Sequence, residues 1–314
     1  MPVHAFIFPG QGSQAPGMGR DLAAAFAAAR EVFQEVDDTL GQKLSQLMFE
    51  GPAETLTLTE NAQPALMAHS LAVLRVLETE GGFKLADRAV VVAGHSLGEY
   101  SALAGAGAFG VAQAARLLKL RGQAMQKAVP PGAGSMAALL GCEMPLALEI
   151  CAEAAAGEVL EPGNDNGGGQ VVVSGATAAV ERAIAVAQTK GVRRAMKLPV
   201  SAPFHCAMMA PAADAMAEAL RASPPVAPVV PVVANVTAAK TSDPNEIIDL
   251  LVKQVTATVR WRECMLAMAA LGVDSFVELG AGKVLSGLVK RIAPEASGAN
   301  AGTPAEIEAL LKVL

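Results

Sequence analysis

The order of apolar and polar positions along the chain predicts strands and helices that alternate. Short, consecutive apolar runs predict strands at residues 4–8 and 89–93. Longer segments with helical apolar spacing predict helices through 20–36 and 63–79 and from Gly98 onward. Strands and helices in alternation are typical of an α/β fold.

A second pattern begins near Pro130 and ends near Pro199. It predicts a strand, a helix, two strands, a helix and a strand, which is the order of the ferredoxin-like unit. These elements are expected at 135–140, 145–156, 158–161, 170–174, 177–190 and 192–198. The prolines and glycine at 130–132, together with Pro199, suit hinges at which one domain is inserted into another. We therefore expect a core of residues 1–129 and 199–314 and an inserted subdomain of residues 130–198.

The larger unit is expected to resume after Pro199. Further helices are predicted at 203–222, 245–253 and 262–270, and further strands at 229–235 and 275–278. The proline-rich stretch 223–231 is interpreted as a connection that enters a strand, because proline fits poorly inside a central strand.

Length and composition exclude several classes of protein. None of the apolar runs in this 314-residue chain approaches the ~20 residues that a membrane span needs. The first nine residues lack a basic leader, so they are interpreted as a strand and not as a signal peptide. The formal net charge of −6 argues against general nucleic-acid binding, which requires a basic excess. We expect a cytoplasmic protein with neither a membrane nor a nucleic-acid partner.

The four cysteines are interpreted as reduced and structural. They are too few for a disulfide framework, and their positions lack the spacing of metal ligands. They are Cys142, Cys151, Cys206 and Cys264.

The most informative motif is Gly94-His95-Ser96-Leu97-Gly98, between a predicted strand and a predicted helix. In a nucleophile elbow the two glycines allow the chain to turn sharply and to expose the serine hydroxyl. Ser96 is therefore the candidate nucleophile. The backbone N–H of Leu97, at the start of the helix, is a candidate donor to an oxyanion. A serine between glycines can also be purely structural, and that alternative stays open here.

A serine nucleophile needs a base, usually histidine. Of the four histidines, His4 begins a predicted strand, His69 lies inside a predicted helix and His95 is the neighbour of Ser96, from which its side chain diverges. His205 lies in a proline-rich loop before a helix, where catalytic groups are common. Serine before histidine is also the chain order of α/β-hydrolases. A loop histidine that bonds its own backbone is the alternative.

Gln11 follows the first strand in the turn Gly10-Gln11-Gly12, at the same sheet edge, and is the second candidate oxyanion donor. Residues 10–15 also fit the G-x-G-x-x-G/A fingerprint of dinucleotide binding. That fingerprint requires a second strand ending in an acidic residue after the first helix, whereas residues 37–48 continue in helix-like composition.

Arg121 occupies the middle of an apolar stripe on the helix predicted over 111–128, and Arg116 falls on the opposite face. A guanidinium keeps its proton and is costly to bury without an anion. Two interpretations stay open: Arg121 forms an ion pair with a buried carboxylate of the protein, or it binds an anionic substrate.

Taken together, these motifs resemble the malonyl-CoA:acyl carrier protein transacylases, relatives of the acyltransferase domains of fatty-acid and polyketide synthases. The similarity covers essentially the full length, and the family has an α/β-hydrolase-like core interrupted by a ferredoxin-like subdomain. The matching segments are Phe8-Pro-Gly-Gln-Gly-Ser-Gln14, Gly94-His-Ser-Leu-Gly-Glu-Tyr100, Arg121-Gly-Gln, Val200-Ser-Ala-Pro-Phe-His205, Val259-Arg-Trp261 and Phe276-Val-Glu-Leu-Gly-Ala-Gly-Lys-Val-Leu285.

The resemblance implies a ping-pong acyl transfer. Ser96 would attack the malonyl thioester of malonyl-CoA, and His205 would accept its proton. The acyl group would then pass to the phosphopantetheine thiol of acyl carrier protein, with no permanently bound cofactor or metal. A monomer is the default expectation.

The resemblance also implies roles for the surrounding residues. Gln11 and the Leu97 N–H would hold the oxyanion, and Arg121 would bind the free carboxylate of malonate. The main-chain carbonyl of Gln254 would orient His205 in place of a buried aspartate.

Two segments depart from the family pattern. Residues 280–283 read Gly-Ala-Gly-Lys instead of Gly-Pro-Gly-Lys, and Gln254 is followed by Val-Thr-Ala-Thr. Met125 suits either a position in the acyl pocket or one in the hydrophobic core. Asn164 and Asn166 are expected to order a loop near the site.

Acyl carrier proteins are acidic, so an acidic enzyme needs a local basic surface to bind one. The candidate clusters are Lys190, Arg193, Arg194 and Lys197, and Lys283, Lys290 and Arg291. A solvated face is the alternative for both.

Two other functions compete with transfer: a serine esterase or editing thioesterase that passes the acyl group to water, and a non-catalytic scaffold of a larger synthase.

Overall fold

The structure is a computed structural model that describes residues 2–314 and contains two β-sheets. The strands are β1 (His4–Phe8), β2 (Ala89–Gly94), β3 (Gly134–Leu140), β4 (Leu160–Gly167), β5 (Gln170–Ala176), β6 (Arg194–Lys197), β7 (Val232–Val233), β8 (Lys240–Thr241), β9 (Ser275–Leu279) and β10 (Ser297–Ala301). The helices are α1 (Arg20–Ala25), α2 (Ala27–Leu40), α3 (Leu44–Glu50), α4 (Ala53–Thr57), α5 (Thr59–Gly81), α6 (Leu85–Arg88), α7 (Gly98–Gly105), α8 (Val111–Lys127), α9 (Met144–Ala154), α10 (Thr177–Thr189), α11 (Ala210–Ala222), α12 (Pro244–Gln254), α13 (Trp261–Ala270), α14 (Ser286–Ile292) and α15 (Pro304–Leu311).

The larger sheet has the strand order β10-β9-β1-β2-β7-β8 and is parallel except for the pair β7 and β8. The central strand β1 is buried at every position. Its residues alternate between two core clusters, with Phe6 and Phe8 on one face and Ala5 and Ile7 on the other. The carboxyl ends of β1, β2 and β7 lie at one edge of this sheet, where α/β proteins commonly bind their ligands.

The smaller sheet is antiparallel, with the order β4-β5-β3-β6. Along the chain its elements follow the order β3, α9, β4, β5, α10, β6, which is the ferredoxin-like arrangement. One face packs against α9 and α10 through side chains such as Leu139 and Val173. The other face adds Met136, Ala138 and Val172 to the main core. The predicted fold class is therefore confirmed.

Strand β4 is bonded directly to the larger unit. The Asp165 N–H donates to the Val259 carbonyl, and the Val259 N–H donates to the Gly163 carbonyl, each at 2.9 Å. The Asp165 carboxylate also pairs with the Arg262 guanidinium at 2.9 Å. These bonds join the two sheets beside the candidate site.

Several predicted elements have different bounds. The predicted helix over 20–36 is two helices separated by Phe26, which has an extended backbone. The helix expected over 203–222 begins only at Ala210, after an irregular segment and the 3-10 helix Ala207–Met209. The strand expected over 229–235 is limited to Val232–Val233, because proline at 231 cannot donate to the ladder.

The fourth correction concerns β4, which the sequence predicts as a short strand over 158–161. The strand extends to Gly167 and includes Asn164 and Asn166, so the loop expected at these asparagines is wrong. Proline, glycine and asparagine disfavour strands locally, but β4 is held by β5 on one side and by the Val259 backbone on the other.

Several elements lie outside the predicted pattern: α3, α4, α6, α14, α15, β8 and β10. Strand β10 has the sequence Ser-Gly-Ala-Asn-Ala, which lacks the apolar signal of a strand although it pairs with β9 along its length. Across residues 2–314, no helix combines the length and the apolar character needed to cross a membrane.

Candidate active site

The turn between β2 and α7 carries Ser96 at the carboxyl edge of the larger sheet. Ser96 has a φ of 52°, a left-handed conformation that is strained for a residue with a side chain. Glycine is required on both sides: a Cβ at Gly94 would overlap the Gly98 backbone, and a Cβ at Gly98 would overlap the Phe8 carbonyl oxygen. The predicted strand–turn–helix context of this motif is present.

Ser96 and His205 meet although they are far apart in sequence. The Ser96 Oγ lies 2.7 Å from His205 Nε2, and His205 Nδ1 lies 2.8 Å from the main-chain oxygen of Gln254. A carbonyl oxygen can only accept a hydrogen bond, so Nδ1 carries the proton and Nε2 is free to accept from the Ser96 hydroxyl. His205 also has a left-handed backbone, with a φ of 61°.

The surroundings of His205 favour the neutral imidazole. Burial, the largest cause, and the nearby positive charge of Arg121 together lower the pKa of His205 to about 3. A neutral imidazole with Nε2 unprotonated is the form that can accept a proton from serine.

Gln11 and Leu97 line the same cavity as Ser96. The Gln11 side chain is held by the Thr59 hydroxyl, which donates to Gln11 Oε1 at 2.9 Å. Within residues 2–314 the backbone N–H groups of Gln11 and Leu97 have no hydrogen-bond acceptor. Two unpaired N–H donors near a serine hydroxyl form the kind of arrangement that stabilises an oxyanion.

Arg121 is 1% exposed and reaches the site from α8. Its Nη1 donates to Gln63 Oε1 at 2.8 Å, and its Nη2 donates to Gln254 Oε1 at 2.9 Å and to Ser96 Oγ at 3.3 Å. Within residues 2–314 no carboxylate oxygen lies within the 4.0 Å of a salt bridge, and Nε has no acceptor. The structural pair with a core carboxylate is therefore absent from the described residues.

These side chains surround a cavity of about 430 Å³. Its polar wall contains Gln11, Ser96, Arg121 and His205. Its apolar lining comes from α8, β3 and the segment after β6, and contains Met125, Met136, Leu198, Val200 and Phe204. The cavity thus combines a serine hydroxyl, a neutral imidazole and a fixed positive charge with a partly apolar lining. Met125 both lines it and belongs to the core.

Three buried polar residues near the site were not predicted from the sequence: Gln63, Glu99 and Asn235. Glu99 lies in the first turn of α7, directly after the elbow, and burial raises its pKa to about 7. Asn235 follows β7 at the carboxyl edge of the parallel sheet, which is a positional signal that could have identified it. Gln63 lies on an otherwise apolar helix and carries no such signal.

His95 and the two asparagines of β4 connect the elbow to the smaller sheet. His95 Nε2 lies 2.8 Å from Asn166 Oδ1, and Asn164 lines the cavity. The side chain of His95 diverges from that of Ser96 and contacts the Trp261 ring, with centroids 5.7 Å apart.

The basic clusters are partly neutralised. Lys190 pairs with Glu153 at 3.1 Å, Lys197 with Glu181 at 3.1 Å and Lys283 with Glu306 at 3.2 Å. In the part of the chain from residue 2 onward, Arg193, Arg194 and Arg291 have no carboxylate within 4.0 Å.

Comparison with known proteins places the chain in a family. The model of the acyl transferase domain matches residues 5–305. The chain belongs to the acyl transferase domain family. It is 45% identical over 313 residues to the malonyl CoA-acyl carrier protein transacylase of Escherichia coli K12, and the match covers 100% of both chains.

Solved acyltransferase structures agree with this fold throughout. The acyl-carrier-protein-S-malonyltransferase of Bartonella henselae superposes with a TM-score of 0.97 at 54% identity and covers 99% of both chains. A malonyl-transacylase in complex with its type II polyketide synthase acyl-carrier protein superposes with a TM-score of 0.96 at 42% identity, covering 99% of this chain and 100% of that one.

Proposed function

We propose that this acyltransferase moves a malonyl group from malonyl-CoA to the phosphopantetheine thiol of acyl carrier protein, for fatty-acid or polyketide synthesis. The observation that carries the proposal is the juxtaposition of Ser96, His205 and an Arg121 without a carboxylate partner in one cavity. The full-length similarity to malonyl transacylases supports the choice of substrates.

In the first half-reaction Ser96 Oγ attacks the thioester carbonyl carbon of malonyl-CoA. His205 Nε2 takes the hydroxyl proton, and the Gln254 carbonyl stabilises the Nδ1–H of the resulting imidazolium. The carbonyl oxygen becomes an oxyanion that accepts from the N–H groups of Gln11 and Leu97. When the C–S bond breaks, His205 returns the proton to the CoA sulfur.

In the second half-reaction the phosphopantetheine thiol of the carrier protein occupies the place that CoA has left. His205 takes the thiol proton while the sulfur attacks the malonyl ester of Ser96. The C–O bond then breaks, and the proton passes back to Ser96 Oγ. The same base thus serves both steps of a ping-pong mechanism.

Arg121 binds the free carboxylate of the malonyl group. A guanidinium has five N–H donors, and three hydrogen bonds of Arg121 go to neighbouring side chains. The remaining donors include the buried Nε, which has no acceptor within residues 2–314. A ligand carboxylate accepts from the second Nη1 hydrogen and neutralises the buried charge, whereas acetyl-CoA leaves the charge unpaired.

The domain boundaries, the cellular location, the oligomeric state and the lack of a permanent cofactor are also proposals. We propose that residues 130–198 form the inserted subdomain, that the protein acts as a cytoplasmic monomer, and that it binds no permanent cofactor. The four cysteines are free and buried, as expected for a protein of a reducing compartment.

Intact-mass spectrometry after brief exposure to malonyl-CoA tests the proposal. We expect one malonyl adduct that is absent from Ser96→Ala and that moves to holo acyl carrier protein when this is added. An adduct lost equally fast without carrier protein would identify a thioester hydrolase. No adduct at all would refute the assigned substrate or the assigned enzyme.

A further inference from the structure

Behind the candidate site, three buried polar side chains form one hydrogen-bonded group that connects Ser96 to Arg121. Glu99, Asn235 and Gln254 are each at most 2% exposed. The proposed mechanism uses only the main chain of Gln254 and uses neither Glu99 nor Asn235. Burying three polar side chains is costly unless each has partners, so their contacts indicate what they position.

Asn235 bonds the two peptide groups on either side of His95. Its Oδ1 accepts from the Ser96 N–H at 2.8 Å, and its Nδ2 donates to the Gly94 carbonyl at 2.8 Å. The left-handed backbone of Ser96 persists only if surrounding contacts hold it. Asn235 supplies two of those contacts and thereby fixes the direction of the Ser96 hydroxyl.

Glu99 fixes the side-chain amide of Gln254. One carboxylate oxygen of Glu99 accepts from Gln254 Nε2 at 2.8 Å and from the Asn235 backbone N–H at 2.9 Å. With its NH₂ group held in this way, Gln254 presents Oε1 to Arg121 Nη2 at 2.9 Å. A reversed amide would place its NH₂ group against the guanidinium, and two donors cannot bond each other.

We propose that Glu99 and Asn235 are positioning residues of the acyl transfer site. Asn235 directs Ser96 through the backbone of the elbow, and Glu99 directs the Arg121 guanidinium through the amide of Gln254. The inference rests on the proposed function, because it assigns Arg121 to the malonyl carboxylate. The two contributions share contacts but differ in their main readout, since every acyl donor uses Ser96 and only a carboxylate-bearing donor uses Arg121.

The test for Glu99 is Glu99→Met, which keeps the length of the side chain and removes the acceptor. We expect kcat/KM for malonyl-CoA to fall about tenfold, mainly because KM rises, which is the effect of losing about one hydrogen bond. The ratio of malonyl to acetyl transfer should decrease. Labelling of Ser96 by a neutral fluorophosphonate, which has no carboxylate, is expected to stay near the wild-type rate. Glu99→Gln retains an acceptor oxygen and is expected to restore the preference.

The test for Asn235 is Asn235→Ala, which releases both elbow peptides. We expect fluorophosphonate labelling, malonyl transfer and acetyl transfer to fall together by about tenfold or more, with an unchanged ratio of malonyl to acetyl transfer. The matched control is Glu278→Gln. Glu278 is equally buried, but its carboxylate accepts from the N–H groups of Leu285 and Ser286 instead of contacting the site. In Glu278→Gln we therefore expect wild-type rates of labelling, malonyl transfer and acetyl transfer.

A folded Glu99→Met enzyme with the wild-type malonyl-to-acetyl preference would overturn the role of Glu99. Labelling of Asn235→Ala at the wild-type rate would overturn the role of Asn235. Circular dichroism checks folding, and Glu99→Leu carries the same expectations if Glu99→Met does not fold. A wild-type protein that forms no malonyl adduct refutes the proposed function instead, and the fluorophosphonate comparison still tests Asn235.

Discussion

The hydrogen-bond partner that orients His205 is uncharged. Behind His205 stands the main-chain oxygen of Gln254 at 2.8 Å, where many serine enzymes have a carboxylate. A carbonyl fixes the tautomer of the imidazole but gives the imidazolium less electrostatic support. Arg121 adds a positive charge nearby. Burial and the charge of Arg121 outweigh the Gln254 hydrogen bond, which raises the pKa, and they hold His205 neutral when no substrate is bound.

This neutrality predicts the pH dependence of acylation. Because burial and Arg121 lower the pKa of His205 to about 3, kcat/KM for malonyl-CoA should not decrease as the pH falls through ~6.5, the ordinary pKa of histidine. The measurement is a pH profile from about pH 8 to about pH 5. An acidic limb centred near 6.5 that persists in Glu99→Gln would contradict the prediction. Burial raises the pKa of Glu99 to about 7, so any inflection there that disappears in Glu99→Gln belongs to Glu99.

The lowered pKa of His205 also affects stability, with a defined sign. Between pH ~6.5 and the folded-state pKa of about 3, the unfolded chain binds a proton at this histidine and the folded chain does not. The free energy of unfolding should therefore decrease as the pH falls across this window. Urea unfolding of the wild type and of His205→Asn at about pH 7 and about pH 5 measures the difference, which should be smaller in the variant.

Substitution of Arg121 separates substrate selection from the chemical step. Arg121→Ala is expected to reduce malonyl transfer at least about tenfold and to narrow the preference for malonyl over acetyl donors. The control is Arg116→Ala on the exposed face of the same helix, which should leave both rates unchanged. An unaltered preference in Arg121→Ala would remove its role in carboxylate binding.

Among the elements, the strand–turn–helix of β2 and α7 was predictable because each part has a local signal. An apolar run, two glycines and a helix-forming segment follow one another. The same holds for α8, where helical periodicity places Arg121 on the buried face. Strand β4 shows the opposite case. Its proline, glycine and asparagine residues favour turns locally, and only pairing with β5 and with the Val259 backbone makes the segment a strand.

The site divides in the same way. Ser96, His205 and Arg121 have recognisable chemistry in an unusual sequence context. Asn235 and Gln63 do not, because each is an ordinary amide whose partners come from other parts of the chain. The contacts of Gln63 are tertiary and no local pattern encodes them, and Asn235 has only its position after β7 as a signal.

The close packing of the elbow predicts a strong effect of Gly94→Ala. The new Cβ would overlap the Gly98 backbone, so the free energy of unfolding should decrease by about 1–3 kcal/mol or more. Gly110→Ala is the matched control, since a Cβ there has no atom within 4 Å. Denaturant midpoints of the two variants measure the difference, and equal midpoints would show that the turn can relax.

At the scale of the whole molecule, the basic residues of β6 indicate a surface at which an acidic carrier protein would dock. The register of β3 and β6 pairs Leu140 with Arg194 and Ala137 with Lys197. Because side chains alternate along a strand, Lys197 faces α10, where it pairs with Glu181. Arg194 belongs to the opposite face, and strand β6 leads into Leu198 and the cavity wall.

We therefore expect the double variant Arg193→Glu and Arg194→Glu to raise the apparent KM for acyl carrier protein about tenfold and to leave the KM for malonyl-CoA unchanged. Arg75→Glu, a charge reversal at an exposed position of α5, is the control. Steady-state kinetics with each substrate varied in turn provides the measurement. Equal effects on both KM values would argue against docking at this surface.

The bonds between β4 and the Val259 segment have a consequence for how substrates are distinguished. They join the two walls of the cavity by backbone hydrogen bonds and by the ion pair of Asp165 with Arg262. Walls tied at this point cannot separate and close again around each ligand as independent lobes. Such a cleft keeps one width, so we expect acyl groups to be sorted by their fit to that width as well as by their charge.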